Sequence, residues 1–251
     1  MITKTTAVED IPALEHDEAM RLATAEYDRL LALVDESHDA DWTRPTDCTG
    51  WDVRAVLGHM LGMLKLQADP QERVRQIKTA AETAARTGGL RLDALTALQV
   101  REHARLTTDE LIRALHQMAP LGLAARRATT AEQRAVPYAP GLPGEDQWTM
   151  GYLFDVIHTR DPWMHRIDIC RATGRDPVMS AGHDGRIVGD VVADWARRHR
   201  QPFTLTLTGP AGASFSAGNA GPELELDAVE FCRVLSGRDR AGGLLATAVP
   251  F

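Results

Sequence analysis

The stretch Asp41-Trp42-Thr-Arg-Pro45-Thr-Asp-Cys48-Thr-Gly50-Trp51-Asp-Val53-Arg-Ala-Val-Leu57-Gly-His59-Met60 decides how this chain folds. Its first half reads as a loop over 39–50, punctuated by Pro45 and Gly50. Its second half opens a helix over 51–68. Trp51, Val53, Val56, Leu57, Met60, Leu61 and Leu64 recur there at three- and four-residue steps, the apolar stripe that a helix turns toward a core. Asp69-Pro70 stops it, because the residue before a proline avoids helical backbone. His59 lies on or beside the stripe. An imidazole in that position is either hydrogen-bonded or ligated, since burying it bare costs free energy.

The helical period continues in both directions. Residues 13–38 repeat it through Leu14, Met20, Leu22, Ala23, Tyr27, Leu30, Leu31 and Val34. Residues 71–86, 91–106 and 108–118 predict further helices, with a break at Gly88-Gly89 and Thr108 as an N-cap. Residues 119–147 hold Pro120, Pro137, Pro140 and Pro143 and read as a long surface connection. Within it, 137–147 has the length and composition of an active-site cover or of plain disorder. Residues 148–173 and 184–199 are helical again. After Pro202 the period drops to two: 203–208 predicts a strand, 213–217 and 223–227 two shorter ones, and Asp227 caps a helix over 228–236. The fold class is mainly α with a small α+β C-terminal part, divided as 1–200 and 201–251.

Composition narrows the function classes. The chain of 251 residues is 44% hydrophobic and 25% charged, as expected of a soluble protein with a real core. Lys and Arg number 28 against 35 for Asp and Glu, a net charge of −7. That balance, with no basic block, argues against nucleic acid and anionic membrane as partners. No apolar run is long enough to span a bilayer, and the N-terminal residues resemble no signal peptide, so a cytoplasmic location is expected. Cys48, Cys170 and Cys232 are odd in number, far apart and form no CxxC; they read as reduced thiols.

A second segment carries chemistry: His158-Thr-Arg-Asp161-Pro162-Trp-Met-His165-Arg-Ile-Asp168. On a helix Asp161 and His165, four apart, share one face, and His158 and Asp168 extend it. A carboxylate and an imidazole so placed can ligate one divalent cation with a third group from another helix, the open arrangement of catalytic zinc. The competing reading makes Asp161 a helix N-cap followed by Pro162 at the first helical position, its side chain spent on backbone amides.

Taken together, these segments resemble the mycothiol-dependent maleylpyruvate isomerase family. The first matches its Trp, Pro, Cys-x-Gly-Trp-x-Val and His pattern. The second matches a carboxylate, three residues, His, then x-x-Asp. The stretch Asp227–Arg238 and the closing Val249-Pro250-Phe251 look like its C-terminal part. The resemblance implies a DinB-like, YfiT-like metal-binding four-helix bundle followed by a sterol-carrier-like α/β domain. It implies His59, Asp161 and His165 as metal ligands, with zinc the favoured ion among divalent metals and mycothiol the thiol cofactor. It implies a reaction in which thiolate adds to the double bond of maleylpyruvate, the new single bond rotates, and loss of the thiol leaves fumarylpyruvate. Arg238, or Arg233 after it, would be the catalytic cation for the substrate carboxylates, against a reading of Arg238 as a surface residue at a helix end. His158 would be a substitute ligand and Asp168 a partner of a ligand histidine. The family usually has Glu where this chain has Asp161, one methylene shorter, and Pro162 removes a helix hydrogen bond beside it.

Partners on this reading are a small-molecule substrate and the thiol, with the chain a monomer or homodimer. The function expected is isomerisation or S-transfer. A metal-dependent enzyme without a thiol and a metal- or ligand-binding protein without such catalysis are the alternatives. Trp42 and Trp51 are expected to staple the loop to the bundle, and Trp148, Trp163 and Trp195 to sit in the core or at a domain interface.

Overall fold

The computed structural model describes residues 5–142, 144–145 and 147–251. In chain order the elements are β1 (Thr6–Ala7), α1 (His16–Asp35), α2 (Val53–Ala68), α3 (Pro70–Thr87), α4 (Arg91–His103), α5 (Thr108–Arg127), α6 (Ala131–Ala135), β2 (Pro137–Tyr138), β3 (Trp148–Thr149), α7 (His158–Thr173), α8 (Asp184–His199), β4 (Phe203–Thr208), β5 (Ser214–Ala217), β6 (Glu223–Asp227) and α9 (Ala228–Leu235). The chain is mainly helical with a small mixed sheet near its C-terminus, as the two periodicities predict. No helix among the described residues is long and apolar enough to cross a membrane.

Contacts gather the chain into two compact units, one of residues 15–176 and one of 177–251 with the N-terminal stretch to Leu14. The first is the helical bundle. Asp52 starts α2 by accepting the Ala55 amide at 2.8 Å, which sets the phase of the stripe that follows. Val53, Val56, Leu57, Met60, Leu61 and Leu64 then bury against Met20, Ala23, Tyr27 and Leu30 of α1 and Leu111, Leu115 and Ala119 of α5; Ile169 of α7 closes the cluster. Trp42 joins this core almost fully buried, with the Arg54 guanidinium over its ring, as a staple should. On another side of α2, α4 crosses at Gly62, where a Cβ would stand 2.5 Å from Cγ of Gln99.

Several boundaries differ from the sequence reading, most of them by a turn or less. The N-cap of α5 is Thr107, one residue earlier, in a capping box with Glu110. The helix also runs on to Arg127 through Pro120, where a surface connection was expected. Pro120 and His116, the residue whose carbonyl loses its helical donor, both face solvent, where an unpaired carbonyl costs little. The rest of that connection holds α6 and β2, and β2 pairs with β3 at Trp148–Thr149, where the sequence predicts the start of a helix; helical backbone begins only at Met150. Pro143 and Asp146, both within the expected cover 137–147, lie outside the described residues.

In the second unit the sheet order is β1-β5-β4-β6, with β4 parallel to β6 and antiparallel to β5. Its edge strand β1 comes from the N-terminus and pairs parallel with β5, a partnership too short to leave a sequence signal. Trp195 of α8 is fully buried among Phe203, Phe231 and His199 and donates Nε1–H to the Leu244 carbonyl at 3.1 Å. That packing is why α8 falls with the sheet, whereas the change of period had suggested a division at residue 200. Secondary-structure type changes at Pro202; packing changes at residue 177.

Candidate metal centre

His59 sits on the α2 stripe with 4% of its surface exposed. Its Nδ1–H donates to Gln99 Oε1 at 2.7 Å. Gln99 is itself buried on α4 and donates Nε2–H to Gln76 Oε1 at 2.8 Å; Gln76 reaches back to the Gly62 carbonyl at 3.1 Å. This amide chain fixes the ring, with Nδ1 spent on Gln99, and turns Nε2 to the other side, toward Asp161.

The segment carrying Asp161 does not start a fresh helix there. Helical backbone is continuous from Met150, passes through a π-helical stretch over Tyr152–Ile157, and enters α7 at His158. Asp161 is therefore interior to a helix and caps no amides, which removes the N-cap reading. Pro162 has no N–H for the His158 carbonyl. The buried Arg126 of α5 supplies one instead: its Nη1 donates to His158 O at 2.9 Å, and Nη2 to Phe154 O at 2.5 Å and Thr159 Oγ1 at 3.0 Å. The π stretch and the proline open the helix, and one guanidinium satisfies the carbonyls so freed.

Asp161 and His165 then face one another at i and i+4, with Asp161 Oδ1 3.3 Å from His165 Nε2 and 3.7 Å from His59 Nε2. The two imidazole rings are 5.2 Å apart, nearly edge to face. His165 mirrors His59: its Nδ1–H donates to the fully buried Asp168 at 3.0 Å, so its Nε2 too points into the cluster. Burial alone would raise the Asp161 carboxyl, but His165 and His59 beside it hold it well below the usual carboxylate range. Burial would lower His165; Asp161, Asp168 and Cys48 outweigh it and push it well above the usual histidine range.

The loop before α2 presses on the same histidines. Trp51 N–H donates to the Cys48 carbonyl at 2.9 Å across a tight turn with Gly50 at φ +81°, a conformation glycine adopts without strain. The turn sets Trp51 with its ring 5.3 Å from His59 and 6.4 Å from His165, and sets Cys48 Sγ 3.3 Å from Asp168 Oδ2. Trp51 also lines a groove of about 460 Å³ with Thr43, Thr46, Asp52, Ala55 and Val100.

Other expected residues fall elsewhere. Among the described residues His158 is not one of the clustered ligands; it is buried, its Nδ1 has no hydrogen-bond partner there, and burial with Arg126 nearby lowers its pKa to about 3. Arg233 is buried on α9 and paired with Glu230; Arg238 follows α9 in the second unit, half-buried, its amide bonded to Arg233 O at 2.9 Å. Trp163 is fully buried and Trp148 half-buried beside Tyr138 and Tyr152. Gln99, Gln76 and Arg126 escaped the sequence reading. Their only signal was a polar side chain where a helix turns inward.

His59, Asp161 and His165 thus offer ligand atoms within 4.8 Å of one another inside the helical unit. Residues 23–170, more than half of the chain, match the mycothiol maleylpyruvate isomerase N-terminal domain, and the chain belongs to that family. An uncharacterized protein of Mycobacterium tuberculosis, recorded in strains CDC 1551 / Oshkosh and ATCC 25618 / H37Rv, is 27% identical over 237 residues, 90% of this chain and 87% of the relative. The crystal structure of the mycothiol-dependent maleylpyruvate isomerase superposes with a TM-score of 0.59 at 14% identity, covering 95% of this chain and 94% of that one. A histidine-to-alanine mutant of that enzyme gives 0.57 at 15% identity, covering 94% and 93%. At such identities the likeness is one of fold.

Proposed function

We propose that this chain is a metal-dependent enzyme that uses a low-molecular-weight thiol, mycothiol by family, for isomerisation or S-transfer on a small unsaturated acid. The observation that carries the reading is the pairing of His59 with Gln99 and of His165 with Asp168. Each pairing ties down Nδ1 and leaves Nε2 directed at Asp161. Two histidines held this way are prepared as ligands. The fit can be judged from the separations. Two donors each about 2.1 Å from one tetrahedral zinc lie about 3.4 Å apart. The distances from Asp161 Oδ1, 3.3 and 3.7 Å, match that edge, so the shorter carboxylate reaches far enough. His59, Asp161 and His165 are the proposed ligands of a divalent cation, zinc by preference for nitrogen and carboxylate donors.

When bound, the cation would make a thiol available as thiolate at neutral pH. The chain's own part is to orient. Gln99 and Asp168 hold the ligand rings, Trp51 packs its ring beside them, and the groove beside Trp51 has the size of a small-ligand site. Arg238 is the proposed cation for the substrate carboxylates, on the family resemblance alone. The test is metal analysis of the purified protein, followed by thiol-dependent loss of maleylpyruvate or transfer of thiol to a bimane. A protein that takes up one zinc and turns over only with thiol present bears the reading out. Turnover without thiol would leave a metalloenzyme of another kind, and failure to take up zinc would overturn the reading.

A further inference from the structure

We infer that Cys48 is a positioning residue for the metal centre: its thiol holds Asp168, and through Asp168 the ligand His165. The inference rests on the metal reading of His59, Asp161 and His165 and adds a part to it.

Three distances close a triangle. Cys48 Sγ is 3.3 Å from Asp168 Oδ2, His165 Nδ1 is 3.0 Å from the same oxygen, and Sγ and Nδ1 are 3.8 Å apart. A carboxylate oxygen only accepts, so the thiol and the imidazole both donate to it. Asp168 is wholly buried, where a carboxylate costs free energy unless donors meet it. The thiol is one such donor, and it comes from the loop, whereas Asp168 and His165 share α7. It therefore fixes the carboxylate from outside the helix. With Oδ2 held, His165 keeps its proton on Nδ1 and its Nε2 toward Asp161. The Cys48–Trp51 turn thereby acts on both ligand histidines: the thiol on the far side of His165, the indole against His59 and His165.

The loop does not depend on the thiol for its shape. Thr46 N–H and Oγ1–H both donate to the Trp51 carbonyl, at 2.9 Å each, and Arg171 Nε donates to Asp47 at 3.0 Å. Removing the sulfur thus removes one donor and leaves the turn. Cys48→Ala and Cys48→Ser separate the hydrogen bond from packing, because serine restores an O–H.

The experiment has two readouts on the full-length protein. Cobalt titration followed by visible absorption gives metal affinity. Long-range ¹H–¹⁵N correlation of the metal-free protein, at a pH where His165 is neutral, gives its tautomer. Cys48→Ala is expected to bind cobalt about tenfold more weakly, the lower end of what losing an outer partner of a ligand costs, and to lose the single Nδ1–H tautomer. Cys48→Ser is expected to keep both close to wild type. A Cys48→Ala protein with unchanged tautomer and affinity overturns the inference, as does a serine variant no better than alanine in either readout. If wild type binds no cobalt but its His165 tautomer depends on Cys48, the positioning stands and the metal reading falls.

Discussion

Gln99 Oε1 receives His59 Nδ1–H at 2.7 Å from across a helix interface, although forty positions separate the two residues. Replacing Gln99 with leucine keeps the bulk and deletes the acceptor. The ring is then free to take the other tautomer, and the buried Gln76 carbonyl loses its donor. Metal affinity should fall about tenfold or more, read as the zinc dissociation constant by competition with a chelating dye. An affinity equal to wild type would show that the amide chain does not prepare His59.

Gly62 is the reason Gln99 can come so close. A methyl there would stand 2.5 and 2.6 Å from Gln99 Cγ and Cβ, so the helices must part or the amide must turn. Gly62→Ala should cost about 1–3 kcal/mol by overpacking, seen in denaturant unfolding. It should weaken metal binding as well, which Gly189→Ala on α8, with nothing within 4 Å of its added Cβ and no positive φ, should not do.

Metal binding should release a proton and weaken as pH falls. Asp161 and its neighbours hold His165 well above the usual histidine range, so near neutrality the metal-free ring is doubly protonated. The cation needs the Nε2 lone pair and displaces that proton. Calorimetry in two buffers of different ionisation enthalpy should return about one proton released per zinc near pH 7. Equal heats in both buffers would contradict the charge assigned to this pair.

His158 should contribute to acid sensitivity in the opposite sense from a salt-bridged histidine. Burial and Arg126 keep it neutral down to about 3 in the folded state, against 6.5 as the ordinary value. The unfolded chain therefore binds a proton there that the folded chain refuses. Its contribution is fully present above the unfolded value and is lost as pH falls from about 6.5 toward 3. His158→Gln should flatten the decline of stability between about pH 7 and pH 4, measured by urea midpoints. A slope as steep as that of wild type would mean that other groups carry it.

The helices, the strands and the histidines were legible because each leaves a local period or spacing: the stripe around His59, the i,i+4 step from Asp161 to His165, the alternation in 203–208. Gln99, Gln76 and Arg126 were not, because their roles are set by which helix crosses which, and a lone buried amide has no spacing. The Asp161-Pro162 pair was ambiguous for a physical reason. Asp-Pro is a sound helix start, and only the π stretch upstream, with Arg126 answering its free carbonyls, lets the helix run through it.

That same pair supports the sharpest test of the site. Asp161 already stands 3.3 and 3.7 Å from the two imidazole nitrogens, the separations a shared tetrahedral ion asks for. Glutamate, the residue the family resemblance implies at this position, would push its oxygens about 1.5 Å further from a helix that Arg126 and Pro162 hold in place. The longer side chain would have to fold back to reach the same point and would give up rotamer freedom to do so. Asp161→Glu should therefore bind zinc more weakly than wild type but more tightly than Asp161→Asn, which lacks the charge. Tighter binding by the glutamate variant would mean that the aspartate is too short and that the cation sits further from α7 than these distances place it.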